Sequence, residues 1–125
     1  MPQQILIVDD NPQNRQLAGD ILTFHGYAVT VASDGLEGVV LAERLHPDLV
    51  LLDIQMPGLD GFAALIRLRE NPATRGMKVI ALTALAMQGD RERILAAGFD
   101  GYLSKPVNSR ELPRAVARLL EEARG

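Results

Sequence analysis

The chain contains no cysteine and has no surplus of positive charge among its 125 residues. The lack of cysteine excludes thiol catalysis, iron–sulfur clusters and cysteine-ligated zinc, and it suits a reducing compartment better than a disulfide-stabilised secreted fold. The formal net charge of −3 argues against binding to the phosphate backbone of nucleic acids. We therefore expect no nucleic-acid partner.

Long hydrophobic runs are also missing from the start of the chain. Residues 1–4 include no lysine or arginine, and the apolar run Ile5–Val8 that follows has four residues. A signal peptide needs a positive start and a longer apolar stretch, and a membrane helix needs about 20 apolar residues. We expect a cytoplasmic protein without a membrane partner.

The length and composition predict one globular domain spanning residues 1–125, since domains usually contain roughly 100 to 200 residues. Hydrophobic residues make up 47% and charged residues 23% of the chain, as in ordinary soluble proteins. No internal repeat, low-complexity segment or Pro/Gly-rich linker divides the sequence. A chain of this size buries about two thirds of its unfolded surface, so it needs no disulfide or structural metal to fold.

Five short segments have the character of β-strands. The runs Ile5–Val8, Leu49–Leu52 and Val79–Leu82 are too short for helices and apolar on both faces, which is typical of buried parallel strands. Ala28–Ala32 contains a threonine and predicts a less buried edge strand, and Gly101–Ser104 predicts a brief last strand.

Helical segments are predicted between and after these strands. Gly26 and Gly98 stand where a left-handed residue would end a helix, and Pro47 cannot extend the helix before it. The last helix is predicted to begin near Asn108, with a late start or a 3₁₀ first turn because of Pro113. Apolar residues at helical spacing are Leu17, Ile21, Leu22, Phe24, Leu36, Val39, Phe62, Leu65, Ile66, Ile94 and Leu95, and in the last helix Leu112, Val116, Leu119 and Leu120.

This alternation predicts an α/β fold in which helices cover both faces of a doubly wound, five-stranded parallel sheet. Ligands of such folds bind at the carboxyl ends of the strands. Asp9 and Asp10 follow the first strand, Asp53 the third, Thr83 the fourth and Lys105 the fifth. We therefore expect these five side chains to meet at one edge of the sheet.

Three crowded carboxylates repel one another, which raises their pKa values unless a cation neutralises them. Mg²⁺ suits the site, because it takes oxygen ligands and keeps several waters. Lys105 adds a second positive charge. Phosphoryl transfer mainly requires positioning and neutralisation of the transferred oxygens, so we predict that Asp53 is a nucleophile that becomes phosphorylated.

Each of these residues alone is compatible with a structural role. An Asp–Asp pair after a strand often forms a turn or caps a helix, and threonine is a common strand residue. Their occurrence together at successive strand ends favours a common site. Pro106 restricts Lys105 to an extended backbone or makes the peptide bond between them cis, and either arrangement fixes where the amine points.

The motifs Ile7–Asn11, Leu52–Gly61, Thr83–Ala84 and Ser104–Pro106 resemble those of the CheY-like receiver domain of two-component response regulators. The resemblance covers the whole chain, and the spacing between the motifs also matches. Within the family, the segments Thr83–Arg93 and Gly101–Pro106 are most similar to receivers of hybrid sensor kinases and to DivK-type single-domain regulators of cell division.

The resemblance implies a flavodoxin-like (βα)5 fold with strand order 2-1-3-4-5. It further implies that Asp53 accepts a phosphoryl group from a phosphohistidine. Asp10 and Asp53 would ligate Mg²⁺ together with the backbone carbonyl of Gln55, and Asp9 would contribute through water. The implied partners are a sensor histidine kinase or histidine phosphotransfer protein and a downstream protein target.

The resemblance also assigns Thr83 and Lys105 to the phosphoryl oxygens and makes Tyr102 an aromatic switch that changes rotamer on activation. The domain would catalyse only its own phosphorylation and dephosphorylation. We expect the output face on the fourth helix, fifth strand and fifth helix, entered through Ala84–Met87. The apolar Leu85, two residues after Thr83, predicts slow hydrolysis of the phosphoryl group because it cannot orient a water.

The two histidines, His25 and His46, are expected at exposed helix C-termini, where the helix dipole favours them, and neither is expected to be the phosphoryl donor. A flavodoxin-like FMN carrier is disfavoured, because Asp9 and Asp10 would repel the phosphate. An aspartyl phosphatase would carry a second acid where this chain has Gln55. A phosphorylation-independent interaction domain on the same fold remains an alternative, although such domains usually lose an acid or the lysine.

Overall fold

The computed structural model describes residues 2–84 and 88–124. Five strands and five helices alternate along the described chain: β1 Gln4–Val8, α1 Pro12–Phe24, β2 Ala28–Ala32, α2 Gly35–Leu45, β3 Leu49–Asp53, α3 Gly61–Glu70, β4 Lys78–Thr83, α4 Gln88–Ala97, β5 Gly101–Ser104 and α5 Glu111–Arg124. All five predicted strands are confirmed, three of them extended by one residue at one or both ends. Within the described residues, no helix combines the length and the apolar character needed to cross a membrane.

The strands form one parallel sheet in the order β2-β1-β3-β4-β5, which confirms the predicted topology. Side chains alternate between the two faces, because successive residues of a strand point to opposite sides. Ile5 and Ile7 pack with α1 and α5, whereas Leu6 and Val8 pack with α2, α3 and α4. Every residue of β3 is buried, because this strand lies at the centre of the sheet and helices cover both of its faces.

The helices begin and end at residues whose side chain or backbone conformation suits a helix terminus. The side chain of Asn11 accepts hydrogen bonds from the amides of residues 13 and 14 and caps α1. Gly26 and Gly98 have φ of +91° and +111°, so both adopt the predicted left-handed conformation. The predicted late start of the last helix is confirmed: α5 begins at Glu111, which places Pro113 in the first turn, where an N–H has no helical acceptor.

The buried faces of several helices differ from those suggested by the large apolar residues. Phe24 is 86% exposed and Ile66 is 56% exposed, so neither lies in the core. Small residues such as Ala18 of α1 and Ala64 of α3 are buried instead, and in α2 a glycine sets the distance to the sheet. A Cβ atom on Gly38 would lie 2.8 Å from both γ-methyl carbons of Val8. The spacing therefore predicts the helices, while small residues decide how they face the core.

Candidate functional site

Side chains from three parts of the sheet converge at the carboxyl ends of the strands. One carboxylate oxygen from each of Asp9, Asp10 and Asp53 lies within 4.8 Å of the others. Asp9 and Asp53 are fully buried and Asp10 is exposed. Lys105 reaches in from the far side of the sheet, with its Nζ 2.8 Å from Asp53 Oδ2 and 3.7 Å from Asp9 Oδ2. The structure therefore brings the predicted acids and the predicted lysine together.

The two buried carboxylates are oriented by the backbone that follows them. Asp9 Oδ1 accepts a hydrogen bond of 2.9 Å from the amide of Asn11, and Asp53 Oδ1 accepts one of 3.0 Å from the amide of Gln55. Such Asx turns are a common structural role of aspartate. These turns use one oxygen of each carboxylate. The second oxygen of each therefore faces the rest of the site.

The second oxygens face each other across the site. Asp53 Oδ2 accepts a hydrogen bond from the ammonium group of Lys105, whereas Asp9 Oδ2 is buried and makes no hydrogen bond among the described residues. Burial raises the pKa of Asp53 above its ordinary value, and the charge of Asp9 adds to this rise. The hydrogen bonds from Lys105 and from the Gln55 amide lower the same pKa.

This donor set fits a hard divalent cation. Three carboxylates crowd together with one lysine to neutralise them, and a buried oxygen of Asp9 lacks a hydrogen-bond partner within the described chain. Mg²⁺ binds through one or two carboxylates and keeps several waters, so the exposed position of Asp10 suits a ligand that solvent can reach.

Thr83 and Lys105 are joined through the backbone at the ends of β4 and β5. Thr83 is 1% exposed, and its carbonyl oxygen accepts a hydrogen bond of 2.8 Å from the amide of Lys105. Of the two backbone arrangements predicted at Lys105–Pro106, the structure shows the cis peptide bond. Thr83 follows Leu82, which is the register partner of Asp53, so Thr83 lies at the end of the strand beside the one that carries Asp53.

The predicted switch residue, Tyr102, is half-buried in β5 opposite Ala81. The guanidinium carbon of Arg91 lies 5.7 Å from the centroid of its ring. The stretch Leu85–Met87, on which the predictions about hydrolysis and loop movement depend, lies outside the described residues. His25 and His46 are both exposed at helix C-termini, as predicted.

Sequence reasoning missed two residues that support the site. The Nη1 atom of Arg15 donates a hydrogen bond of 2.8 Å to the carbonyl oxygen of Asp9. Gly61 begins α3 directly against the backbone of Asp53, since a Cβ atom there would lie 2.5 Å from the carbonyl oxygen of Asp53. Gly61 belongs to one of the predicted motifs, but only the close approach of the two backbones reveals its role.

Residues 5–117 match the family model of the response regulator receiver domain. The chain belongs to this family and is a phosphoacceptor signalling domain of the two-component type, as predicted. It is 40% identical over 116 residues to the polar-differentiation response regulator DivK of Brucella anthropi, a match that covers 93% of this chain and 92% of DivK.

Solved receiver structures share its fold. The receiver domain of the sensor histidine kinase PA1611 from Pseudomonas aeruginosa, which has a magnesium ion coordinated in its active-site cleft, is 42% identical with a TM-score of 0.89, covering 97% of this chain and 99% of that one. The chemotaxis protein CheY4 of Vibrio cholerae is 28% identical with a TM-score of 0.88, covering 94% and 98%. These matches confirm the predicted fold and the predicted similarity to DivK and to kinase receivers.

Proposed function

We propose that Asp53 accepts a phosphoryl group from a phosphohistidine on a sensor histidine kinase or a histidine phosphotransfer protein. The observation that carries this proposal is the 2.8 Å contact between Lys105 Nζ and Asp53 Oδ2 beside a buried oxygen of Asp9 that makes no hydrogen bond within the described residues. Mg²⁺ would be held by Asp10, Asp53 and the backbone carbonyl of Gln55, with Asp9 contributing through water, and it would supply charge neutralisation for the transferred oxygens.

The chain's own residues position the acceptor. The Gln55 amide holds Asp53 Oδ1, so the second oxygen, Oδ2, attacks phosphorus while the bond from phosphorus to the histidine nitrogen breaks. The flexible stem of Lys105 lets its ammonium group move from Asp53 Oδ2 to an oxygen of the transferred phosphoryl group. The hydroxyl of Thr83, which ends the adjacent strand, donates to another of these oxygens.

We infer that the response passes from Thr83 to Tyr102. When the Thr83 hydroxyl bonds the phosphoryl group, the backbone after β4 shifts and Tyr102 turns inward, which changes the face formed by α4, β5 and α5. That face binds a downstream protein, and the domain performs no chemistry beyond its own phosphorylation and dephosphorylation. This signalling takes place in the cytoplasm, without a nucleic-acid or membrane partner.

Phosphorylation by acetyl phosphate with Mg²⁺, followed by intact-protein mass spectrometry, tests the proposal. The wild type should gain one phosphoryl group and Asp53→Asn should gain none. Asp20→Asn, which makes the same change at an exposed position of α1, should behave like the wild type. Phosphorylation of Asp53→Asn at the wild-type rate would contradict the assignment, and failure of the wild type to react would favour a phosphorylation-independent interaction domain.

A further inference from the structure

Arg93 of α4 lies over the aromatic ring of Phe62 in the first turn of α3. The guanidinium carbon is 4.7 Å from the ring centroid, well within the range in which an aromatic face attracts a cation. Arg93 is exposed and forms no ion pair with any residue in the part of the chain that the structure describes. The ring of Phe62 is therefore the partner that the structure gives to this charge.

Phe62 stands next to the backbone of Asp53. It follows Gly61, whose amide donates a hydrogen bond of 3.3 Å to the carbonyl oxygen of Ile54. A Cβ atom on Gly61 would lie 2.5 Å from the carbonyl oxygen of Asp53. Close-packed protein interiors transmit a displacement instead of absorbing it. A shift of the first turn of α3 therefore reaches the backbone that carries the Asp53 carboxylate.

The two helices joined by this contact are packed to different degrees. Phe62 of α3 makes an edge-to-face contact with the buried Phe99, with ring centroids 5.7 Å apart and ring planes at 83°. In α4, Ile94 is the one described residue that lies in the core. The contact between Arg93 and Phe62 therefore adds an attachment to a helix that buries little of its own surface.

A cavity of about 590 Å³ opens beside this contact. Arg93 and Phe62 line it together with Thr83 and Gln55, to which the proposed function assigns a phosphoryl oxygen and the magnesium ion. The distance between α3 and α4 therefore affects the space next to the proposed site of phosphorylation.

We propose that Arg93 is a positioning residue for the phosphorylation of Asp53. Its contact with Phe62 holds α4 against α3 and thereby keeps the Gly61 backbone in place behind Asp53. The proposal rests on the proposed function and adds to it a residue that does not touch the phosphoryl group. Because Arg93 acts through a cation–π contact, the role requires a positive charge at position 93 and an aromatic ring at position 62.

Phosphorylation rates of the full chain test this role. Intact-protein mass spectrometry measures the rate with acetyl phosphate and Mg²⁺. Arg93→Met removes the cation but keeps a long stem, and Phe62→Leu removes the ring but stays apolar. Each should slow the reaction about two- to fivefold, which is the worth of an exposed cation–π contact. Arg93→Lys keeps the cation and should react at close to the wild-type rate. Arg67→Met, at an exposed position of α3, is the matched control and should not slow the reaction.

The double variant Arg93→Met/Phe62→Leu shows whether the two residues act through one contact. It should react no more slowly than the slower single variant, because the second substitution has no remaining contact to remove. Effects of the two substitutions that multiply would overturn the proposal, as would a wild-type rate for Arg93→Met.

NMR spectra distinguish positioning from attraction of the anionic phosphodonor. Without phosphodonor, the amide resonances of Gln55 and Gly61 should shift in Arg93→Met and return to their wild-type positions in Arg93→Lys. A slower reaction without these shifts would assign Arg93 to attraction of the donor and would overturn the proposal.

Coupling between two sites is reciprocal, so a group bound at Asp53 should also affect Arg93. Beryllofluoride with Mg²⁺ mimics the phosphoryl group, and its addition should shift the δ-methylene resonance of Arg93 more in the wild type than in Phe62→Leu. Equal shifts in the two proteins would overturn the proposal. The proposed function fails separately, if the wild type takes up no phosphoryl group from acetyl phosphate.

Discussion

Substitution of Gly61 by alanine should displace Asp53, the proposed phosphoryl acceptor, without touching any charged group. The added Cβ would lie 2.5 Å from both the Asp53 carbonyl oxygen and the Ile54 Cα, whereas carbon atoms in ordinary contact are about 3.5 to 4.0 Å from their neighbours. Both neighbouring atoms belong to the backbone, so no change of rotamer relieves the clash. Either the start of α3 or the chain that carries Asp53 must move by about 1 Å.

The expected cost follows from this geometry. Overpacking costs about 1 to 3 kcal/mol, and a backbone clash that no rotamer relieves lies in the upper half of that range, at about 2 to 3 kcal/mol. Replacing glycine by alanine in a helix recovers about 1 kcal/mol at most. A net loss of about 1 to 2 kcal/mol lowers the melting temperature of a chain of this length by about 4 to 8 °C. A misplacement of about 1 Å costs about a hundredfold in rate, so phosphorylation by acetyl phosphate should slow by one to two orders of magnitude.

Gly76→Ala is the matched control, since a Cβ atom at Gly76 meets nothing within 4 Å. Its melting temperature should stay the same or rise slightly, because alanine restricts the unfolded chain more than glycine does. Circular dichroism measures the melting temperatures, and intact-protein mass spectrometry in the presence of Mg²⁺ measures the phosphorylation rates. The reasoning is refuted if Gly61→Ala matches Gly76→Ala in both stability and rate.

Three further substitutions test other parts of the molecule. Asp10→Asn should weaken Mg²⁺ binding at least about tenfold, measured by amide chemical-shift titration; equal affinity would contradict its role as a ligand. Lys105→Ala should still be phosphorylated, but the beryllofluoride-induced shifts around Tyr102 should shrink; a response as large as that of the wild type would argue against the assigned contact. Arg69→Met removes bonds to three backbone carbonyls and one carboxylate and should cost about 2 to 4 kcal/mol in urea unfolding, whereas the exposed Arg67→Met should be near neutral.

The sequence was most informative where one local rule decides the structure. The strands were predictable because buried parallel strands are apolar on both faces, and the meeting of Asp9, Asp53 and Lys105 was predictable because parallel strands end at a common edge. The orientation of the helices was less so, because small residues such as Gly38 set the distance to the sheet.

Polar contacts between residues far apart in the chain could not be predicted from the sequence. Arg69 binds the carboxylate of Asp100, which lies 31 positions further along the chain, and no periodicity or motif links the two. The two separate contacts made by each site carboxylate could not be predicted from the sequence either. Only the structure shows that Asp9 and Asp53 each give one oxygen to the following backbone and keep the other for the site.

The order of the site residues along the chain has a consequence for synthesis. Asp9 and Asp53 are made early, whereas Lys105, which bonds Asp53 across 52 positions, belongs to the segment after the last strand. A growing chain therefore carries the Asp53 carboxylate before it carries the cation that neutralises it. Because Lys105 reaches the acids only after β5 has joined β4, the two buried carboxylates meet their cation only when the whole sheet is built, and the charge balance of the site coincides with the end of folding.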